Sequence, residues 1–200
     1  MTKNNSYSLE ALVRVYQWKF GPKLERYLGY WQALESLEDA IRRAAQAKGA
    51  DGKINRHQRR VGEEILGKAS KVLLRHVDEF EACKSFEQLH AIVERYAGAI
   101  ERFGVLAVYD TSLRIGQYLS YLPKFVYLHA GTKKGCKALG LDMTNGVLKM
   151  SDLPKAIQVL EPYQAEDFLC VFKGRFKKPG RMPKECLPGR RPGSTRRFPA

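Results

Sequence analysis

The 200-residue sequence predicts an all-α fold: a compact helical domain over residues 1–172, then a basic, Pro- and Gly-rich tail over residues 173–200. Three observations lead there. Apolar residues recur every three or four positions through nearly every segment, and no stretch alternates convincingly as a half-buried strand does. Helix-start residues punctuate those segments. Composition then changes abruptly near residue 173, where apolar periodicity stops and proline and basic residues take over. The apolar share, 44%, is ordinary for a globular chain, and the length suffices for one domain with its own core. No internal repeat is visible.

Ser8 is placed to cap a first helix carrying Leu9, Leu12, Val13, Tyr16 and Phe20. Gly21-Pro22 breaks it, and Pro22 suits the first turn of a second helix with Leu24, Tyr27, Leu28, Trp31 and Leu34. Ser36 and Asp39 open a third, ending before Gly49. The aromatic residues of this stretch (Tyr16, Trp18, Phe20, Tyr27, Tyr30, Trp31) are read as core rather than as base-stacking platforms, because they fall at helical spacing. Residues 50–56 form a polar connection. His57-Gln58-Arg59-Arg60 is read as the start of a long amphipathic helix with Val61, Ile65, Ala69, Val72, Leu73 and Val77.

Ser85 and Gln88 make a second capping box, before a helix with Leu89, Ile92, Val93, Tyr96 and Ile100. Gly104 ends it, and a further helix from about Leu106 to Leu119 follows. Phe125 to Leu128 reads as a short strand or extended loop, and Gly131 to Leu139 as a short basic helix stopped at Gly140. Two late helical segments, near Ser151–Leu160 and Gln164–Phe172, complete the core.

Charge is the strongest global signal. Lys and Arg number 35 against 21 Asp and Glu, a net charge of +14. Ten of those basic residues, among them Lys173 and Arg175, lie in the tail against one acid, Glu185. The same tail holds five of the nine prolines, a composition that cannot build a core. Phosphate backbones are the common polyanion such a surface meets, and counterion release turns basic charge into affinity. DNA, double- or single-stranded, is therefore the expected partner. A membrane is not expected, since no run approaches the ~20 apolar residues of a span. No obligate protein partner is evident.

Cys83, Cys136, Cys170 and Cys186 form no Cys-x-x-Cys pair, and the four histidines show no ligand spacing. No metal and no cofactor is expected. The polar N-terminus lacks the apolar run of a signal peptide, so a reducing, cytoplasmic setting with free thiols is expected.

The stretch from Ala99 to Leu141 bears most on chemistry. Residues 99–108, Ala-Ile-Glu-Arg-Phe-Gly-Val-Leu-Ala-Val, join two helices through a tight, Gly-containing turn. Such a turn, with the positive N-terminus of the next helix, presents amide groups to an anion. Further on, Val126-Tyr127-Leu128-His129-Ala130-Gly131 precedes a basic helix ending Leu139-Gly140-Leu141. Together these pieces, about 45 residues, resemble the helix-hairpin-helix DNA glycosylase superfamily. Its hairpin reads roughly apolar-x-Gly-apolar-Gly, and its catalytic loop reads Val-Asp-Thr-His before a basic helix.

The resemblance implies a helix-hairpin-helix element, phosphate contacts from Arg102 and Gly104, and excision of a base from DNA. It has departures. Arg102 replaces the first hairpin glycine. Leu106 falls near the position of the Lys that bifunctional members use, so a monofunctional enzyme leaving an abasic site is expected. Tyr127 falls where the catalytic Asp belongs. Tyr109-Asp110-Thr111, followed by Arg114, is a competing match to the Asp motif, and makes Asp110 the candidate carboxylate for stabilising a sugar cation or orienting water. Asp110 and Arg114 also stand four residues apart on a helix, as an ordinary ion pair would.

His129 and His57 are the other catalytic candidates, and Tyr109, Tyr127 and Arg114 candidate walls of a base pocket. Arg59, Arg60, Lys133, Lys134 and Lys137, with Lys173 and Arg175, are candidate nucleic-acid contacts. His76 and His90 are read as structural. An unusual base, such as a modified cytosine in foreign DNA, is the substrate that the off-pattern loop suggests. Two other readings remain: a hairpin that grips DNA or RNA without chemistry, and a helical adaptor whose tail engages an acidic protein.

Overall fold

The computed structural model describes residues 8–176 and is mainly helical. The helices are α1 (Leu9–Lys19), α2 (Gly21–Gln32), α3 (Leu37–Gln46), α4 (Glu63–Leu73), α5 (Val77–Ala82), α6 (Phe86–Tyr96), α7 (Val105–Leu119), α8 (Ala130–Leu139) and α9 (Pro162–Phe172). Serine caps act where the sequence puts them. The hydroxyls of Ser8, Ser36 and Ser85 accept from the amides of Ala11, Asp39 and Gln88. Each satisfies a donor that the first helical turn leaves without a carbonyl.

Several segments differ from the sequence reading. The long helix expected from His57 to Val77 is not continuous. Residues 56–61 are turns, Gly62 is the N-cap of α4, and a 3-10 turn (Leu74–His76) separates α4 from α5. There His76 stacks on Tyr96 and pairs with Glu79. The segment near Ser151–Leu160 is a 3-10 turn (Met150–Asp152) followed by further turns, because Pro154 has no amide with which to continue a helix. Phe125–Leu128 contains β1 (Val126–Tyr127), which pairs antiparallel with β2 (Val147–Leu148) in a two-stranded ribbon. α6 ends at Tyr96 rather than Ile100, so an eight-residue connection (97–104) leads to α7.

Two apolar clusters hold the fold. The first packs Trp31, Ile41, Leu66, Leu73, Phe86, Leu89, Phe103 and Ile115 from α2 to α7. The second packs Tyr16, Val126, Leu128, Ile157, Phe168 and Phe172 around α1, α8, α9 and the ribbon. Burying each such side chain stabilises by about 1.5–3 kcal/mol. Tyr16 and Trp31 are wholly buried, as helical spacing implies, whereas Trp18 is exposed. Of the residues assigned to the tail, 173–176 form a turn that seats Phe176 against Phe168. The remainder, 177–200, lies outside the described residues. Among the described residues no helix is long and apolar enough to cross a membrane.

Candidate active site

The site lies between the two apolar clusters, where α7 and α9 face each other across a cavity of about 440 Å³. From α7 come Leu106, Asp110, Leu113 and Arg114, and from α9 come Tyr163, Glu166, Asp167 and Cys170. Both sets follow the 3.6-residue period, so each helix offers one face to the cavity. The turn segment adds Asn55, Arg56, His57 and Arg60, α2 adds Leu24 and Tyr27, and His129 with Gly131 closes the wall.

Gly131 and Gly135 let α8 approach α9 closely. A Cβ at Gly135 would run into the Leu169 carbonyl, and one at Gly131 into the Cys170 sulfur. That approach brings His129, the N-cap of α8, onto Glu166. The imidazole Nε2 of His129 pairs with Glu166 Oε1, and the Thr132 hydroxyl donates to the same oxygen at 2.6 Å. Burial disfavours a charged His129, but the hydrogen bond and charge of Glu166, helped by Asp110, outweigh it and raise the His129 pKa above the ordinary value.

Asp110 is neither sealed in the helix pack nor free in solvent. Its side chain is 20% exposed. Gln58 Nε2 donates to its Oδ2, and Arg114 Nη2 lies 3.8 Å from the same oxygen. Arg114, only 2% exposed, spends its other donors on the Tyr27 hydroxyl, the Ala44 carbonyl (3.0 Å) and Gln58 Oε1 (3.0 Å). Its guanidinium also lies near the rings of Tyr27 and Trp31. Burial raises the Asp110 pKa, and Arg114 and Gln58 offset this only in part.

Asp167 has a different setting. The buried Tyr16 hydroxyl donates to its Oδ2 at 3.0 Å. Its Oδ1 has no hydrogen-bond partner and its carboxylate no cation within ion-pair distance among the described residues. Burial and the neighbouring Glu166 charge raise its pKa to about 6, against the Tyr16 hydrogen bond and the charge of His57.

A second, open hollow of about 500 Å³ adjoins the cavity through His57, Leu106 and His129. Its wall includes Arg102, Gly104, Val105, Ala130 and Lys133. The bend before α7 and the loop around His129 therefore meet in one groove. α7 has no side-chain cap, and the Val105 and Leu106 amides have no acceptor among the described residues. The left-handed residue of the connection is Arg102, at φ 71°, while Gly104 is extended. The bend is thus made at Arg102 and not at Gly104.

The structure brings His57, Arg60, Asp110, Arg114 and His129 together at the cavity, and Arg102, Gly104 and Lys133 at the groove. Tyr109 and Tyr127 line neither hollow. Tyr109 is buried in the core with its hydroxyl unpartnered, and Tyr127 packs against Phe86, His90 and Tyr109. His57 and Arg59 lie in the turn segment rather than at a helix start, and Arg59 is exposed beyond the cavity lining. Lys134 and Lys137 are exposed on α8 outside both hollows. Lys173 donates to the Cys170 carbonyl at the end of α9, and Arg175 is exposed.

Sequence reasoning missed Gln58, Thr132, Glu166, Asp167 and Arg56. The signal for two of them was present: Glu166-Asp167 is an acid pair inside a mainly apolar helix. No group of three His, Cys, Asp or Glu among the described residues is arranged to hold a metal ion. Comparisons with protein-family models, curated proteins and solved structures gave no match, so the geometry of the site itself carries the functional argument.

Proposed function

We propose that this chain is a DNA N-glycosylase-like enzyme that extrudes a nucleotide, hydrolyses its base–sugar bond and leaves an abasic site. One observation carries the reading: a cavity lined by perturbed acid–base groups opens beside a basic groove with unpartnered helix-start amides. Such groups cluster where chemistry is done. A cavity of about 440 Å³ is within the usual range for a small-molecule site, as an extruded base requires. The left-handed Arg102 stands where the resembled hairpin has glycine, which supports a helix-hairpin-helix element.

In this reading Arg102, Lys133 and the α7 amides hold phosphates, and Arg56, His57 and Arg60 border the entrance. Protonated His129 donates to the departing base. Cavity carboxylates stabilise the sugar cation that forms as the bond opens. Leu106 lines the cavity near the position of the family's Schiff-base Lys, so no lyase step through that residue follows. A modified base such as an altered cytosine in foreign DNA remains the proposed substrate.

Purified protein is assayed on duplexes bearing modified and unmodified bases, with abasic sites revealed by alkali. Release from at least one substrate, lost in His129→Gln, is expected. Inactivity across a broad panel defeats the enzyme reading. A second reading, a non-catalytic DNA or RNA binder, draws on the Arg114 and Gln58 contacts that tie up one Asp110 oxygen. It predicts steeply salt-dependent binding without excision, whereas an adaptor for an acidic protein predicts no steep salt dependence for oligonucleotides.

A further inference from the structure

Three carboxylates line the cavity, and they differ in one respect. Asp110 has Arg114 beside it, and Glu166 is paired with His129. Asp167 alone of the three has no cation within 4 Å among the described residues. Its position is nevertheless fixed. Tyr16, wholly buried on α1, holds Oδ2 at 3.0 Å, and this hydrogen bond ties α1 to α9. The other oxygen is unpartnered but not sealed from solvent, and Asp167 belongs to the cavity wall. A carboxylate held in a concave site with no cation in ion-pair contact, His57 acting on it only from farther off, is an incomplete electrostatic arrangement. The ligand can supply the missing positive charge.

We propose that Asp167 is a catalytic residue, whose unpaired oxygen faces the cation-like sugar and the attacking water. This rests on the glycosylase reading and names the carboxylate within it, since the charge of Asp110 is already offset by Arg114. The C1′–N bond breaks and its electron pair leaves with the base, which takes a proton from His129. Water oxygen bonds to C1′, and the proton it sheds passes to Asp167. Transfer of that proton back to His129 through solvent restores both groups. The ligand class that fits Asp167 is therefore a nucleotide whose sugar carries positive charge.

The test uses the full chain and two duplexes, alike except for one central residue. One carries a pyrrolidine abasic analogue, cationic at pH 7, and the other a neutral tetrahydrofuran analogue. Affinities are measured by fluorescence anisotropy at one salt concentration. Wild-type protein is expected to prefer the pyrrolidine duplex by about tenfold or more, the equivalent of ~1.4 kcal/mol. Asp167→Asn, which keeps an acceptor for Tyr16, is expected to lose the preference and retain tetrahydrofuran binding. Asp167→Ser serves as the second variant, with circular dichroism to verify folding.

No preference in the wild type, or a preference that survives both Asp167 substitutions, overturns the proposal. If the preference depends on Asp167 but no base is excised from any substrate, the cation site stands and the enzyme reading falls. If bases are excised and Asp167→Asn works at the wild-type rate, the enzyme reading stands and the role of Asp167 falls.

Discussion

Replacing Asp167 with Asn should make the protein more stable at neutral pH, and the size of the gain follows from the site. The Asp167 pKa is raised from 3.8 to about 6 in the fold, chiefly by burial. Between those values the native state binds more protons than the unfolded chain, so wild-type stability falls as pH rises through that window. Above it the loss is constant, and a difference of about two units corresponds to about 3 kcal/mol. Asn carries no charge, and its side-chain oxygen still accepts from Tyr16. The variant should therefore gain up to about 3 kcal/mol at pH 7.5 and show little gain below pH ~4. Urea unfolding of both proteins across pH 4–8 measures this. A variant less stable than wild type at pH 7.5, with no gap opening between about pH 4 and pH 6, refutes the reasoning. Stabilisation by removal is the signature of a group retained at a cost to the fold, as functional groups often are.

Other outcomes follow from the same geometry. Arg114→Met should cost about 3–5 kcal/mol by urea unfolding, because it leaves the largely buried Asp110 without a cation and removes one of the two hydrogen bonds to the Ala44 carbonyl. The cost should shrink in the Asp110→Asn background. Glu166→Gln should lower the His129 pKa, since Glu166 is the main influence that raises it. In wild type, stabilisation from protonated His129 is present at low pH and lost as pH rises through the raised pKa. The variant should lose that contribution, and NMR titration of the imidazole reads the shift.

Much of the fold was legible because local chemistry specifies it. The Ser8, Ser36 and Ser85 caps, the Gly21-Pro22 break and the α7 periodicity each rest on contacts within a few residues. The break between α4 and α5 was not legible, because the apolar stripe from Val61 to Val77 continues across the 3-10 turn without a proline or glycine to mark it. The site divides in the same way. Asp110 stood out through the Tyr109-Asp110-Thr111 match, and His129 beside a glycine-marked helix start. The Glu166-Asp167 pair was visible but its importance was not, because that comes from α8 and α1 packing against α9. Gly131 and Gly135 permit the α8 contact, and Tyr16 provides a hydrogen bond across 151 residues of sequence. That Tyr109 and Tyr127 lie outside both hollows was not legible for a different reason. Their spacing shows that they belong to a packed face, but not whether that face borders a cavity or the core.

A structure of the full chain bound to a duplex with one pyrrolidine nucleotide tests the central claim most directly. The account predicts that nucleotide rotated out of the stack into the cavity between α7 and α9, its ring nitrogen within about 3 Å of Asp167, as a charge-assisted hydrogen bond requires. A duplex lying along the basic surface with every nucleotide stacked and the cavity unentered contradicts it.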